Sequence, residues 1–326
     1  MTDTEVTTYS CRYCRTTSSG AESTCPNCGA PVDVARRTTS GWTELPPIPD
    51  MTRIQMGGST MQILGRLAPA ADIRLAAGEG VFFPQHNLLW QEPAVQVTSM
   101  GLRGGWNRMR AGLPVVMLEA TGPGTISFSS DHPGELVAIP VQAGSAVDVR
   151  EHHLVAASKG LTFDWYDSGV WFVTRGDQGA GAQFGGAGLL KMGMDMAGVD
   201  LARGDRAEET EYHYPVGRQV DRFVAGDRPG LVLVQAGGNV FLRDLDEGES
   251  ILVKPPAMLY KDPTVAWQLH VEFPHAGMKF WKSWGNRYLW LRLWGPGRIA
   301  LQSSYDRLED PGTDFRESCQ FTQRVW

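Results

Sequence analysis

The sequence lacks any run of about 20 uninterrupted apolar residues, which is the length that a membrane-spanning helix needs. Its opening stretch, MTDTEVTTYS, lacks the basic and apolar regions of an export signal. We therefore expect a cytoplasmic protein that is at most peripheral to the inner face of the membrane. The stretch LRGGWNRMR, residues 102–110, offers three arginines and one tryptophan, which support only weak contact with an anionic membrane surface.

A surplus of basic residues is also missing. The formal net charge is −6 and the isoelectric point is near 5.7, so the protein's field repels phosphate backbones and argues against nucleic acid as a partner. Charged residues make up 20% and hydrophobic residues 42%, which is ordinary for a globular protein. The 38 glycines and 20 prolines favour many turns between short strands, and hence an all-β fold.

Motifs of the common enzyme classes are missing too: the sequence has no P-loop, no G-x-S-x-G elbow and no dinucleotide-binding fingerprint. A cupin metal site needs two histidines one residue apart, but Glu151, His152 and His153 are consecutive, which sends the histidines to opposite strand faces. His270 and Glu272 do share one face of a predicted strand. We assign no catalytic residue, and the alternative is a small-ligand-binding or metal-dependent cupin-like β-helix enzyme that uses these two side chains.

Cysteine is scarce, and its placement is informative. Four of the five cysteines form two C-x2-C pairs: Cys11, Cys14, Cys25 and Cys28. Each pair aims two thiolates at one point, so two pairs complete the tetrahedron of one structural Zn²⁺ per chain, and Gly29 allows the turn that this requires. Iron in a rubredoxin-like site and a metal-free, redox-active cluster are the alternatives. Cys319 is interpreted as a small buried hydrophobe or as a reactive thiol.

The composition divides the chain into three parts. We predict a zinc ribbon at residues 1–32, a proline-rich linker at residues 33–52 and a β domain at residues 53–326. The basic and acidic residues of the ribbon balance, so we expect it to contact a protein partner or merely to stabilise the chain. Trp42 is expected to attach the linker to the domain surface. A glycine- and methionine-rich insertion is predicted at about 175–215.

Two glycine-led patterns each recur three times in the β domain. In the first, TGPGTISFSS, QAGGNVFLRD and WGPGRIALQS align without gaps, which brings Gly124, Gly238 and Gly297 into register. Two apolar residues then alternate with polar or small ones. This alternation predicts a strand that begins directly after a glycine turn.

In the second pattern, a glycine is followed by apolar residues at the third and fifth positions and by an apolar pair at the tenth and eleventh. It begins at Gly78, Gly144 and Gly248. The first two apolar positions have the period of a strand, and the later pair enters the next strand after a short turn. The two patterns predict three degenerate repeats that stack or close around a common core.

The strand YLWLRLW, from Tyr288 to Trp294, is apolar on both faces apart from Arg292. A strand of this kind is buried on both faces, either inside the fold or at a contact between subunits. Internal burial and a homo-oligomer interface are therefore the two interpretations of this segment.

These motifs resemble the altered inheritance of mitochondria protein 24 family over roughly residues 60–305. The resemblance rests on Gly-Pro-Gly motifs, Gly-Glu turns and one aromatic run: Gly122–Phe128, Gly295–Leu301, Gly78-Glu79, Gly248-Glu249 and Gly277–Ser304. It implies a β-sandwich or double-stranded β-helix with internal pseudo-threefold repetition, like the tryptophan RNA-binding attenuation protein, and it implies no catalytic residues. Together with the closed cysteine site, this favours a non-enzymatic scaffold or adaptor: an oligomeric β domain with a ribbon that contacts a protein partner.

Overall fold

The computed structural model describes residues 8–10, 16–19, 24–29, 41–65, 67–100, 117–129, 133–175, 210–272, 288–306 and 315–316. Regular structure in these stretches consists of β-strands and two single-turn 3-10 helices, Gln85–Asn87 and Pro255–Ala257, which confirms the all-β prediction. No helix in this part of the chain is long and apolar enough to cross a membrane. The basic stretch 102–110, residues 176–209 of the predicted insertion, and Cys319 lie outside the described residues.

Five strands precede the main body of the domain: β1 (Thr8–Ser10), β2 (Thr17–Ser19), β3 (Thr43–Leu45), β4 (Arg53–Met56) and β5 (Ser59–Leu64). β5 has the alternating burial of a strand with one face in the core: Met61 and Ile63 are buried, and the residues next to them are half-buried. β4 and β5 form a hairpin whose turn includes Gly57, at a φ of 62°. Glycine adopts this left-handed conformation without a steric penalty, so the sequence favours the tight turn.

Three segments of the chain then hold six main strands each. The first segment, residues 70–129, contains β6 (Ala70–Leu75), β7 (Gly80–Pro84), β8 (Leu88–Gln91), β9 (Gln96–Ser99), β10 (Met117–Thr121) and β11 (Gly124–Ser129). The second segment, residues 135–236, contains β12 (Glu135–Val141), β13 (Ala146–Arg150), β14 (Leu154–Ser158), β15 (Leu161–Asp167), the additional β16 (Phe172–Arg175) and β17 (Thr210–His213), β18 (Gln219–Ala225) and β19 (Gly230–Ala236). The third segment, residues 240–302, contains β20 (Val240–Leu245), β21 (Ser250–Val253), β22 (Met258–Lys261), β23 (Ala266–Glu272), β24 (Tyr288–Trp294) and β25 (Gly297–Gln302). β26 (Phe315–Arg316) follows and pairs with β16.

The antiparallel pairing inside each segment follows one order. The first main strand pairs with the sixth and the sixth with the third, while the second pairs with the fifth and the fifth with the fourth. In each segment the pairing of the sixth strand with the third contains a register shift, which falls at β8, β14 and β22. Each segment thus builds two three-stranded halves with the same internal order.

Strands also pair between segments, at two places that we call the first and second junctions. At the first junction β14 pairs with β7, and at the second junction β22 pairs with β13. These contacts join halves of different segments into a six-stranded and a seven-stranded sheet. The strands that would form a third junction, between the first and third segments, are β8 and β21. Each lies at the end of a sheet, and its outer side pairs with no other strand of the described chain.

Three apolar cores hold the sheets together. The first core surrounds Phe83 and Phe128, whose rings meet edge to face with centroids 4.7 Å apart. The second core contains Phe82 and Phe223, stacked at 6.1 Å, and the third surrounds Leu291. Because Phe82 belongs to the first segment but packs in the second core, the cores link neighbouring segments as well as filling them.

The predicted linker contributes to the β domain. Within it, β3 pairs with β20, and Trp42 packs against the third core. The guanidinium carbon of Arg243 lies 5.8 Å from the centroid of the Trp42 ring. Residues 42–45 are thus attached to the domain, and residues 33–40 of the predicted linker lie outside the described residues.

The glycines of the second pattern occupy one place in all three segments. Gly78, Gly144 and Gly248 have φ values of 80°, 75° and 80°, and each precedes the second strand of its segment. A left-handed residue at this point lets the chain turn between two paired regions without side-chain strain.

The glycines of the first pattern do not occupy one place. Gly124 and Gly297 begin the sixth strands β11 and β25, whereas Gly238 lies in the turn that precedes β20. The alignment of Gly238 with the other two is therefore wrong. The residue that begins the sixth strand of the second segment is Gly230. The second segment has a longer turn before this strand, residues 226–229, and an ungapped alignment cannot accommodate that extra length.

Candidate functional site

The same strand position carries different chemistry at the two junctions and at the open edges. At the first junction Phe82 lies opposite Ala157, and both side chains are buried in the apolar core. At the second junction Asp148 lies opposite Lys261. The matching residue of the third segment, Leu252, lies on the unpaired edge of β21 and is 38% exposed. An apolar pair is enough to join two segments at this position. The charged junction and the open edges therefore need a separate explanation.

The charged junction is centred on the carboxylate of Asp148, which is completely buried. Arg222 donates from Nε to Oδ1 at 2.6 Å and from Nη2 to Oδ2 at 2.8 Å. Lys261 Nζ and the Tyr166 hydroxyl also donate to Oδ2, at 3.0 and 2.7 Å. The side chain of Lys261 is 5% exposed, and its ammonium lies 5.0 Å from the ring centroid of Trp267. Four donated hydrogen bonds compensate the burial of one carboxylate.

The electrostatics of this cluster follow from burial and pairing. Burial alone would raise the pKa of Asp148, but the hydrogen bonds from Arg222, the charge of Lys261 and the Tyr166 hydroxyl outweigh it, so the pKa is lowered. Burial lowers the pKa of Lys261, against the attraction of Asp148. Burial, reinforced by the bond to Asp148, raises the pKa of Tyr166 well above its ordinary range. Asp148 and Arg222, whose pKa the hydrogen bonds to Asp148 raise, thus remain charged throughout the neutral range.

We expect the charged junction to lose its contribution to stability in acid. The folded-state pKa of Asp148 lies below its ordinary value of 3.8, so the unfolded chain takes up the proton first as the pH falls. The contribution is complete above about pH 4 and is lost as the pH falls through the lowered pKa. Urea unfolding at pH 6 and pH 3 should therefore show a smaller drop for Asp148→Phe/Lys261→Ala than for the wild type. Equal drops would contradict the assignment.

The sequence gives only a faint signal for the charged junction. Asp148 interrupts the apolar strand residues Val147 and Val149, and Lys261 ends the apolar stretch MLYK. Single charges inside apolar strands suggest a buried pair, because an isolated buried charge is costly. The partners are 113 positions apart, however, and only the strand register brings them together. Local sequence patterns therefore do not reveal this site.

The open edges consist of β8 and β21 with their outward-facing backbone groups. Leu89 and Trp90 on β8 are 55% and 44% exposed, and β21 adds Leu252. Unpaired strand edges expose a row of N–H and C=O groups, and exposed apolar side chains beside such a row are typical of an interaction surface. Such an edge can bind a further strand by main-chain hydrogen bonds.

The predicted metal ligands fall partly on described residues. Cys25 is buried and Cys28 exposed, and between them the chain makes a tight turn in which the Gly29 N–H donates to the Cys25 carbonyl at 2.8 Å. Gly29 has a φ of 68°, a left-handed conformation that glycine adopts readily. Cys11 and Cys14 lie outside the described residues, between the paired residues Ser10 and Thr17. The structure therefore describes two of the four predicted ligands.

The Asn27 side chain holds this turn against another part of the chain. Its amide nitrogen donates to the hydroxyl of Thr16, the residue before β2, at 3.1 Å. Among the described residues, no group of three or more His, Cys, Asp or Glu side chains is placed to hold a metal.

The residues considered for a cupin-like site serve the backbone. The carboxylate of Glu151 accepts the N–H groups of Arg218 and Gln219 at 2.8 and 2.9 Å. His152 takes a left-handed φ of 66° in the same turn, and His153 Nδ1 lies 2.7 Å from the Gln235 carbonyl. These contacts fix the turn between β13 and β14.

The alternative pair, His270 and Glu272, lies on β23. His270 is half-buried and sits opposite Trp290, while the side chain of Glu272 is outside the described part of the structure. The structure therefore places His270 on a partly exposed face, and among the described residues it belongs to no group of three or more potential metal ligands.

Within one chain the aromatic strand β24 is buried on one face only, so YLWLRLW is not buried on both faces inside the fold, and a contact between subunits stays a prediction. Its leucines lie in the third core, whereas Trp290, Arg292 and Trp294 are half-buried. Lys254 Nζ lies 4.3 Å from the centroid of the Trp290 ring, and the Arg292 guanidinium lies 5.2 Å from that of Trp294. Cations thus cover the outer face in part.

An open depression of about 320 Å³ lies at the start of β25 and is lined by Asp244, Leu245, Asp262, Gly297 and Arg298. Its polar groups bind one another. Arg298 donates to both carboxylate oxygens of Asp244 at 2.7 and 2.9 Å, and these bonds lower the pKa of that carboxyl. The backbone N–H of Arg298 donates to Asp262 at 2.8 Å. These hydrogen bonds among the lining residues support the turn at the start of β25, and this structural role accounts for the polar groups of the depression.

The chain was compared with protein families, curated proteins and solved structures, and the family match covers most of the β domain. The model of a family described as Mitochondrial biogenesis AIM24 matches residues 61–304. Among curated proteins, none matches the sequence. Among solved structures, the chain is similar to the crystal structure of protein SPYM3_0169 from Streptococcus pyogenes, with 14% identity and a TM-score of 0.48 over 76% of this chain and 94% of that chain.

Proposed function

Starting from the finding that this chain belongs to the Mitochondrial biogenesis AIM24 family, we propose that it is a non-enzymatic scaffold or adaptor. In this proposal the β domain consists of three copies of one unit and assembles into a homo-oligomer. An N-terminal zinc ribbon contacts a protein partner. The protein acts in the cytoplasm, at most in peripheral contact with the inner face of the membrane.

The observation that carries the proposal is the pair of open edges. Within the described residues, the domain closes two of three equivalent strand junctions and leaves the outer edges of β8 and β21 without a partner strand, with Leu89, Trp90 and Leu252 exposed beside them. Natural proteins cover or blunt such edges, so an uncovered pair supports a role in assembly. The side-chain donors of the charged junction, in turn, bind Asp148.

Repetition is supported by the strand pairing. Four pairings inside each segment follow one order, and the register shift between the sixth and third strands recurs each time. In a domain built from repeated units, the residues at each junction can differ, because a junction needs only two facing side chains that match. Such variation gives a scaffold with distinct contact surfaces built on one plan.

The assembly is tested by the mass in solution. Light scattering over a range of protein concentrations is expected to show a species of several chains, against 35.8 kDa for one chain. A single chain at every concentration would remove the oligomeric part of the proposal. Turnover of any small molecule by the purified protein, abolished by substitutions in the β domain, would remove the non-enzymatic part.

The zinc ribbon is tested by counting metal. Mass spectrometry of the native protein should give one zinc per chain, lost in a Cys11→Ser/Cys14→Ser variant, because a four-thiolate site needs both pairs. The β domain of that variant should unfold as in the wild type. A second metal that survives the cysteine changes and disappears with His270→Ala would instead support the cupin-like alternative.

A further inference from the structure

The two closed junctions use the same pair of strand types. Each pairs the third strand of one segment with the second strand of the segment before it. On the second strands, the paired residues Phe82 and Asp148 come four positions after the turn glycines Gly78 and Gly144. The residue four positions after Gly248 is Leu252, which is therefore their counterpart on β21.

The counterpart on β8 follows from the sixth strands. Ala157 and Lys261, the third-strand residues at the closed junctions, lie opposite Val232 and Ile299, two positions after the first residue of β19 and β25. The corresponding residue of β11 is Ile126, and it lies opposite Gln91. Both closed junctions thus lead to one register, in which Gln91 faces Leu252.

The chain carries these two complementary strands on separate sheet edges and pairs neither with the other. A second copy supplies both complements at once: its β21 fits the β8 of the first, and its β8 fits the β21. Such a reciprocal, two-fold arrangement closes both edges and covers Leu89, Trp90 and Leu252, whereas an unrelated strand would match one edge at most.

We infer that two copies of this chain join by pairing β8 of each with β21 of the other, with Gln91 opposite Leu252. The inference rests on the oligomeric scaffold proposed above and names its contact surface. The backbone supplies the hydrogen bonds of an antiparallel ladder, and the exposed apolar side chains supply the buried area. The contact repeats between copies what β14 and β7, and β22 and β13, do inside one chain.

The register is tested by cross-linking with a short bis-maleimide on the zinc-loaded full chain. Gln91→Cys and Leu252→Cys are made separately and together, and both positions are exposed, so the fold should tolerate them. A mixture of the two single variants is expected to give a cross-linked dimer whose peptide joins positions 91 and 252. Each single variant alone is the control for the native cysteines. Because a mixed product can only form between copies, it demonstrates the contact directly.

Two results would overturn the inference. One is a 91–252 cross-link at the mass of one chain in the double variant without a product in the mixture, since the chain would then close its own third junction. The other is an assembly of several chains by light scattering with no 91–252 product in either experiment, which would leave the scaffold proposal standing and place its contact elsewhere.

A second variant pair gives an independent reading: Leu252→Asp should weaken dimerisation at least tenfold, and adding Gln91→Lys should restore it, because this copies the Asp148–Lys261 pair. Equal weakening by both variants would also contradict the register.

Discussion

Replacement of Asp148 by asparagine is expected to lower the free energy of unfolding by about 3 to 5 kcal/mol, as for other broken buried ion pairs. The side chain is completely buried, and its loss of charge leaves Lys261, which is 5% exposed, without a compensating carboxylate. Urea unfolding followed by circular dichroism at pH 7 measures the difference.

The matched control is Asp244→Asn. Arg298 binds Asp244 with two hydrogen bonds, as Arg222 binds Asp148, but both members of the outer pair are more than half exposed. Solvent screens such pairs, so the control should cost less than about 1 kcal/mol. Similar costs at the two aspartates would show that the charged junction is not buried in solution.

The first junction supplies the compensating change for the second. There, Phe82 faces Ala157 in the position that Asp148 and Lys261 occupy. We expect Asp148→Phe/Lys261→Ala to recover most of the stability that Asp148→Asn loses, because an apolar pair of suitable shape needs no desolvation of charge. Arg222 is 36% exposed and can turn to solvent. A double variant less stable than Asp148→Asn would mean that the junctions are not interchangeable.

Substitution of valine at Gly78, Gly144 or Gly248 is expected to cost about 1 to 3 kcal/mol at each site, and similar amounts at all three. All three glycines have left-handed φ values between 75° and 80°, and an added Cβ would meet no atom within 4 Å. The cost therefore comes from backbone strain alone, so equal environments should give equal costs.

Gly160→Val and Gly226→Val are the matched controls. An added Cβ has the same open space at these two positions, but neither residue has a left-handed φ. Valine there should cost less than about 1 kcal/mol, since surface changes without strain are small. A spread across Gly78, Gly144 and Gly248 as wide as their difference from the controls would remove the common-unit interpretation.

Local features of the fold could be predicted from the sequence because they depend on neighbouring residues. The pattern that starts at Gly78, Gly144 and Gly248 correctly marked a strand, a turn and a second strand in each segment. It succeeded because a left-handed glycine and alternating burial leave a signature within about a dozen residues. The alignment of Gly238 failed because the turn before β19 is longer than its counterparts.

The candidate site depends on contacts that no local pattern contains. Asp148 and Lys261 meet through strand register, and their charges alone do not identify each other in the sequence. The apolar residues of β8 resemble those of β14 and β22, but among the described strands β8 alone of the three lacks a partner on one side. Whether a strand has such a partner depends on distant parts of the chain, so its own residues do not reveal it. The interpretation that both faces of β24 are buried inside the fold was likewise wrong, because the charge that lies over the Trp290 ring comes from Lys254, which is outside this strand.

The central claim is that the scaffold assembles through its open edges, and amide hydrogen exchange tests it most directly. At concentrations where light scattering shows several chains, the outward-facing amides of β8 and β21 should be protected, and dilution to single chains should release them. The amides of β7 and β14, paired at the first junction, should stay protected at both concentrations. Fast exchange of the β8 and β21 amides at every concentration would contradict the account.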